Sequence, residues 1–254
     1  MAIQQDNDNG LLLVGTAYAR NRRVSGSQRE NVGNMVQLQI SAKSETKTRT
    51  SRQKETAGNA LDSITIKQAS EVKVASDTFN KLTLGMALLG KSVELKKESE
   101  TITDEVVEVN QKGVWLSLVH RNIDASTVSV KNDTSQPVEK EDFEINETLG
   151  WIRIKESCEN VNASSAIEVS YKTKAGGGIR IEASTESDYD LEIWLDGFNQ
   201  ASQKNFILHI PSMVIAPTSE IDWLGDDFAK AEFGGTLVLA DGYKVPYIYE
   251  EFNA

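Results

Sequence analysis

The amino-acid sequence predicts a mainly β protein with one flanking α-helix, and three observations support this prediction. Apolar and polar residues alternate with a period of two in several short stretches, which is the pattern of half-buried strands. A single segment has the helical period of an amphipathic helix. Hydrophobic residues make up 39% of the 254 residues and charged residues 26%, as in ordinary globular proteins, so we expect a folded core.

The clearest strands have apolar side chains at every second position, and they lie at 36–40, 72–74, 179–181 and 191–195. Similar but shorter patterns predict further strands at 64–66, 113–119, 127–131, 151–154, 167–171, 206–210 and 236–239. The apolar run at 11–14 is far shorter than a signal-peptide core or a membrane span. We therefore expect no membrane association. Residues 1–29, which precede the first clear strand, are assigned to an N-terminal arm.

One helix is predicted from about Asp77 to Leu89. Ser76 and Asp77 can cap its first turn, and Gly90 can end it. The apolar face, which should pack against the sheet, consists of Phe79, Leu82, Met86 and Leu89. A second, shorter helical turn is predicted around 224–233, where acidic residues favour a helix N-terminus.

The segment 41–60 is strongly polar and lies between two predicted strands, with no apolar residue larger than alanine. We interpret it as a long exposed loop, which is uncommon in a compact domain unless the loop is functional or disordered. Two interpretations stay open: a mobile hairpin tip, or an arm that becomes ordered against a partner. In the second case the contact residues would be its basic side chains, Lys43, Lys47, Arg49, Arg52 and Lys54.

Residues 101–172 form a β-rich stretch with its own turn signals, and a triple glycine at 176–178 follows it. Three successive glycines form either a flexible joint or a plain loop. We therefore predict a core domain made of 30–100 and 173–254, with 101–172 as an inserted β-rich subdomain.

The charge of the chain argues against direct binding to nucleic acid. There are 38 acidic and 27 basic residues, which gives a formal net charge of -11. A surface with this balance repels a phosphate backbone. The single cysteine, Cys158, cannot form a disulfide within the chain and is interpreted as a small packing residue.

We find no sequence signature of an enzyme. No nucleotide-binding loop, nucleophile elbow or zinc-protease motif occurs. The two histidines, His120 and His209, lie in alternating apolar segments, where a tolerated strand residue is the simpler interpretation. A cluster of carboxylates lacks the spacing of an EF-hand loop and is interpreted as a solvated face or a helix cap: Glu220, Asp222, Asp226, Asp227 and Glu232. We therefore predict no catalytic, metal-binding or cofactor-binding residues, and no cofactor.

The order of four segments resembles the major tail tube proteins of tailed bacteriophages. The segments are ENVGNMVQLQIS at 30–41, SDTFNKLTLGMALLG at 76–90, YDLEIWLDGFN at 189–199 and IDWLGDDF at 221–228. The first precedes a charged segment, and the second coincides with the predicted helix. The resemblance covers about 30–100 and 179–242, and it does not extend over 101–172.

This resemblance implies a β-sandwich or half-barrel tail-tube fold, with one flanking helix and the inserted β-rich segment. It also implies a structural virion protein in which six copies close into a ring and the rings stack into a tube. The partners would be further copies, the tape measure protein and other tail proteins. DNA would pass through an acidic lumen without specific binding. The basic residues of 41–60 would then contact the next ring.

Two alternatives stay open. The chain could be another tail component: a terminator, a baseplate hub or a fibre-like protein. A receptor-binding or sugar-binding β-sandwich would instead need clustered, exposed aromatic residues. The four tryptophans, Trp115, Trp151, Trp194 and Trp223, are dispersed in apolar segments, which favours core packing.

Overall fold

A computed structural model describes residues 10–252 of the chain. Within these residues, 17 β-strands, one α-helix and one short 3-10 helix are present. Strands make up 56% of the structure and helices 4%, which confirms the prediction of a mainly β fold. No helix among the described residues has the length and apolar character that a membrane crossing requires.

The chain divides into two compact units. Residues up to Val93 and from Ile181 onwards form unit 1, and Glu94–Arg180 form unit 2. The boundaries predicted from the sequence were 101 and 172. In the structure the boundaries lie at 93/94 and 180/181. These positions fall within two strands that pair with each other, β5 (Lys91–Lys97) and β13 (Gly176–Glu182).

Unit 1 is built on one antiparallel sheet of eight strands, in the order β2-β1-β14-β15-β16-β4-β3, with β17 paired to β15 beside this path. The strands are β1 (Leu13–Asn21), β2 (Glu30–Asn31), β3 (Met35–Thr50), β4 (Ala60–Ser76), β14 (Tyr189–Asn199), β15 (Lys204–Pro217), β16 (Ala231–Leu237) and β17 (Ile248–Phe252). Alternate residues of the central strands form the buried core, as the period of two predicts; among them are Leu191, Ile193, Ile210, Met213 and Ile215.

The prediction of an N-terminal arm is wrong for residues 13–21. These residues form β1, which pairs with β14 along its whole length, from Leu13 opposite Asn199 to Asn21 opposite Leu191. The inward-facing residues at the centre of β1 are alanines, Ala17 and Ala19, which are 1% exposed. Alanine contributes little to an apolar alternation, so the sequence pattern did not reveal this strand. Residues 1–9 of the predicted arm lie outside the described residues.

The helix α1 is shorter than predicted, spanning Lys81–Ala87. Asn80, not Ser76 or Asp77, is its N-cap. The Asn80 side chain accepts hydrogen bonds from the backbone amides of Leu82 and Thr83, and the Thr83 hydroxyl accepts one from the Asn80 amide, which completes a capping box. At the other end, the left-handed residue is Leu89, with φ of 48°.

All four residues of the predicted helix face contact the core of unit 1. Met86 is 3% exposed, and Phe79, Leu82 and Leu89 pack against the same core while partly exposed. The predicted helical turn at 224–233 is absent. Leu224 and Phe228 are 93% and 99% exposed, so no apolar surface of the chain supports a short amphipathic turn there.

Unit 2 contains two sheets around one core. The larger has the order β6-β12-β8-β9 and the smaller the order β10-β11-β7. The strands are β6 (Thr101–Val109), β7 (Trp115–Ser117), β8 (Ile123–Asn132), β9 (Pro137–Val138), β10 (Phe143–Asn146), β11 (Trp151–Ile154) and β12 (Ser165–Thr173). Ile152 from the smaller sheet and Ile167 from the larger one are fully buried in the same cluster, which also contains Cys158. Unit 2 is therefore a small β-sandwich.

Candidate interaction surface

The most unusual surface feature of unit 1 is the outer part of the β3–β4 hairpin. At its base, β4 pairs with β16 from Glu71 to Ser76, opposite Thr236 to Ala231. Beyond Glu71, β3 and β4 continue to pair with each other from Lys43 opposite Gln68 to Thr50 opposite Ala60. We call residues 43–68 the arm. Each of its paired strands is about 27 Å long at 3.4 Å per residue.

The prediction of an unstructured loop at 41–60 is therefore wrong. Most of these residues form a regular antiparallel ribbon, in which the hydroxyls of Thr46 and Thr65 lie 3.2 Å apart and those of Thr48 and Ser63 lie 3.5 Å apart. Both faces of the ribbon meet solvent, so its first strand shows no apolar alternation. A pattern that marks half-buried strands cannot detect a strand that is exposed on both faces.

The tip of the arm is a closed turn. The amide of Ser51 donates to the carbonyl of Asn59 at 2.8 Å, and the amide of Gly58 donates to the carbonyl of Ser51 at 3.0 Å. Ser51 is only 3% exposed, and its hydroxyl lies 2.7 Å from that of Thr56. Gly58 has φ of 90°, a conformation that favours glycine.

The five basic residues predicted as contacts all lie at or near the arm surface and are exposed: Lys43, Lys47, Arg49, Arg52 and Lys54. Lys43 forms an ion pair with Glu71. Among residues 10–252 the other four make no ion pair. The register places Lys47 opposite Ile64, which is 60% exposed. One face of the arm thus combines cations with exposed apolar side chains.

A buried carboxylate, which sequence reasoning missed, lies on the other face of the unit 1 sheet from the core. Glu192 of β14 accepts a hydrogen bond from the indole of Trp194 at 2.8 Å and one from the guanidinium of Arg29 at 3.1 Å. Arg20 lies 2.5 Å away in an ion pair. Burial by itself raises the pKa of Glu192, but these donors and charges outweigh it and lower the pKa to about 2.

His209 belongs to the same group. Its ring stacks on Trp194 with centroids 3.7 Å apart, and Nε2 lies 3.3 Å from Glu192 Oε1. Burial lowers the pKa of His209, against the opposing effect of Glu192, so the neutral form is favoured. Every neighbour of the carboxylate is a donor or a cation, which is an arrangement that holds strands together.

In unit 2, His120 is part of a second polar group. The buried Tyr171 hydroxyl donates to Glu105 at 2.5 Å and lies 3.1 Å from Nδ1 of His120. Burial, followed by the Glu105 contact, raises the pKa of Tyr171 well above its ordinary value. The phenol therefore stays protonated and remains a donor. His209 is a strand residue of β15, as predicted, whereas His120 lies between β7 and β8, and both histidines sit in polar groups.

The prediction that the tryptophans pack in the core is wrong. None of the four is buried, and Trp223 is 67% exposed. Trp115 and Trp151 lie on adjacent strands of the smaller sheet of unit 2, where Trp115 pairs with Arg153 and Trp151 pairs with Ser117. Both tryptophans point to the outer face, because Ile152 between Trp151 and Arg153 points into the core.

The carboxylate cluster predicted as a solvated face lies mainly in the irregular segment 218–230, between β15 and β16, and Glu232 follows in β16. Within residues 10–252, no group of three or more histidine, cysteine and acidic side chains is placed to hold a metal ion.

A family model described as "Protein of unknown function UCP028589" matches residues 11–246. No curated protein matches the chain.

Proposed function

The chain belongs to this family of proteins of unknown function, and we propose that it is a structural protein that assembles with further copies of itself. The proposed role is that of a tail tube subunit of a tailed bacteriophage, with hexameric rings stacked into a channel for DNA delivery. The proposal includes a location in the virion, contacts with the tape measure protein and other tail proteins, and no enzymatic activity.

The arm is the observation that carries this proposal. An isolated two-stranded ribbon is marginally stable in water, because neither face is buried. The arm nevertheless extends about 27 Å beyond the sheet and carries four cations that form no ion pair with the described residues, in a chain of net charge -11. Docking on an acidic neighbour would bury one face and satisfy these charges, which favours assembly of identical acidic subunits.

Open strand edges also support self-assembly. Among residues 10–252, β1 pairs on the side away from β14 with β2 only, at Tyr18 and Ala19, so its first residues present an open edge within this part of the chain. Leu13 and Val14 at this edge are 44% and 46% exposed. At the opposite end of the strand order, β4 is the one strand that pairs with β3 in the part of the chain that the structure describes. Free edges of this kind are templates for pairing with a second chain, unless they are protected.

Negative-stain electron microscopy of the concentrated protein tests the proposal. We expect rings or tubes of uniform width from the wild type. Reversing the arm charges with Arg49→Glu and Arg52→Glu should abolish stacking while the circular dichroism spectrum stays unchanged. The control variant, Lys140→Glu with Lys172→Glu in unit 2, changes the net charge by the same amount and should assemble normally. A wild type that stays monomeric at all concentrations contradicts the proposal.

A second function, sugar binding, is favoured by the tryptophan pair of unit 2. Trp115 and Trp151 present large amphipathic ring faces beside Arg153, whose guanidinium lies 4.8 Å from the centre of the Trp115 ring. Arg153 also forms an ion pair with Glu144 on the next strand. Aromatic faces flanked by hydrogen-bonding groups suit the apolar faces and hydroxyls of a sugar chain.

A panel of neutral and anionic oligosaccharides, titrated into the intact protein and followed by NMR, tests this second function. We expect binding that Trp115→Ala and Trp151→Ala each weaken and that Trp223→Ala in unit 1 leaves unchanged. Equal binding by all three variants, or no binding by the wild type, rules out this surface as a sugar site.

A further inference from the structure

The segment 218–230 exposes more apolar surface than a free loop usually does. It connects β15 to β16 and is held at its base, where the amide of Thr218 donates to the Glu232 carbonyl at 2.8 Å. Between these ends, Trp223, Leu224 and Phe228 are 67%, 93% and 99% exposed. Three large apolar side chains exposed in one short segment indicate a binding surface.

The charge of the segment complements the charge of the arm. Its carboxylates are Glu220, Asp222, Asp226 and Asp227, and no basic residue occurs between 218 and 229. The arm has a basic excess, with six basic residues against the three acidic residues Glu45, Glu55 and Asp62. Its exposed apolar residues include Leu61 and Ile64. Each surface therefore offers the charge and the apolar contacts that the other requires.

Strand register places the two surfaces at opposite ends of the unit 1 sheet. The segment 218–230 leads into Ala231, which pairs with Ser76 at the last residue of β4. The arm leaves the sheet at the other end, beyond Glu71, and ends near Ala60. The 17 residues from Ala60 to Ser76 correspond to about 53 Å of extended strand. The arm of one chain therefore points away from its own 218–230 segment.

We propose that the arm of one copy docks on the 218–230 segment of a second copy. This inference rests on the proposed self-assembly and names the two surfaces that meet. Because the surfaces differ and lie at opposite ends of the sheet, the contact is heterologous, and each added copy leaves a free arm at one end and a free segment at the other. Such a contact repeats along an open stack instead of closing into a dimer.

Charge reversal on each surface, alone and combined, tests this docking by sedimentation of assembled protein. The arm variant carries Arg49→Glu and Arg52→Glu, and the segment variant carries Asp226→Lys and Asp227→Lys. Each should reduce the sedimenting fraction roughly tenfold or more at low salt, because like charges then meet at the contact. The chain with all four substitutions should assemble again, because the substituted positions of the arm are then acidic and those of the 218–230 segment are basic, so opposite charges meet at the contact.

Two controls make the result specific. Glu139→Lys with Glu141→Lys in unit 2 alters the net charge as the segment variant does, and it should sediment like the wild type. Leu224→Ser with Phe228→Ser removes the apolar contact without changing charge, and it should also reduce sedimentation. Thermal unfolding of each variant establishes that the fold is retained.

The outcomes separate this inference from the proposed function. If the wild type does not assemble, both are wrong. If the wild type assembles and the arm variant does not, but the segment variants assemble normally, the arm docks elsewhere and only the docking is overturned. Failure of the four-substitution chain to recover also overturns the docking and leaves the proposed function standing.

Discussion

Replacing Glu192 by glutamine should destabilise unit 1 at neutral pH, because this carboxylate pairs with two guanidiniums at once. Its side chain is 6% exposed, with Arg20 at 2.5 Å and Arg29 at 3.1 Å. A glutamine of the same shape keeps the packing but removes the buried negative charge that pairs with both of the partly exposed guanidiniums. Removal of one partner from a buried ion pair is generally strongly destabilising.

The magnitude follows from the pKa of Glu192. Burial raises this pKa, but the hydrogen bonds from Trp194 and Arg29 and the charges of both arginines lower it from 4.5 to about 2. One pKa unit corresponds to about 1.4 kcal/mol, so the ionised form contributes about 3 kcal/mol to the free energy of unfolding.

The pH dependence gives the prediction its direction. Because the folded-state pKa lies below the unfolded-state value, the contribution is complete above about pH 4.5 and is lost as the pH falls towards 2. The difference in unfolding free energy between wild type and Glu192→Gln should therefore be largest at pH 7. Below pH 4.5 it should shrink by about 1.4 kcal/mol for each pH unit.

Urea unfolding of both proteins between pH 7 and pH 3 measures this difference. Asp196→Asn is the matched control, because Asp196 lies on the same strand but is exposed, and its loss should change stability by less than about 0.5 kcal/mol. An unfolding free energy for Glu192→Gln that equals that of the wild type at pH 7 would refute the reasoning. A difference that stays constant down to pH 3 would show that lost packing, not lost charge, is responsible.

Three further predictions concern stability and local order. Gly150→Ala should destabilise unit 2 by more than about 2 kcal/mol in thermal unfolding, because φ of Gly150 is 67° and a Cβ there would lie 1.9 Å from the His120 carbonyl oxygen. The control is Gly176→Ala, which should have little effect because the space around Gly176 is open. Met86→Ala should cost about 2–5 kcal/mol in urea unfolding of unit 1, since this helix residue is 3% exposed, and a loss below 1 kcal/mol would contradict the packing. In hydrogen exchange of the monomer, the arm amides should exchange faster than the amides of 71–76, which belong to a stretch paired on both sides. On assembly the arm amides should become protected. Equal exchange of the arm amides in monomer and assembly would exclude a contact role for the arm.

The helix shows which structural features a local sequence pattern can predict. Apolar spacing predicted Phe79, Leu82, Met86 and Leu89 as one face, and these residues do contact the core. The first residue of the helix was wrong by four positions, because Ser, Asp and Asn can all cap a helix. The choice of Asn80 depends on its side chain, which also donates to the carbonyl of Asn31, at 3.1 Å. That contact is between residues distant in sequence, and no local pattern contains it.

The arm is a segment whose secondary structure the local sequence pattern did not predict. Composition indicated that its basic residues are exposed, and the structure agrees, while their contact with a neighbouring copy stays a prediction. The same composition suggested a loop, because residues 41–50 are polar or charged apart from one alanine. Only the partner strand shows that this stretch is paired, and only the register places Lys47 beside Ile64.

By itself, the sequence determined the fold class, because an alternation of period two is a local property of the chain and buries one face of a strand wherever a sheet forms. It also determined the net charge and the composition of each surface segment. The tertiary structure alone decided which residues meet: the alanines of β1 against residues of β14, the two arginines around Glu192, and Trp115 beside Arg153 on an outer face. Of the two β1 alanines, Ala19 lies opposite Ile193 and Ala17 lies opposite Leu195. These are contacts across strands far apart in sequence, and their register depends on the packing of the whole sheet.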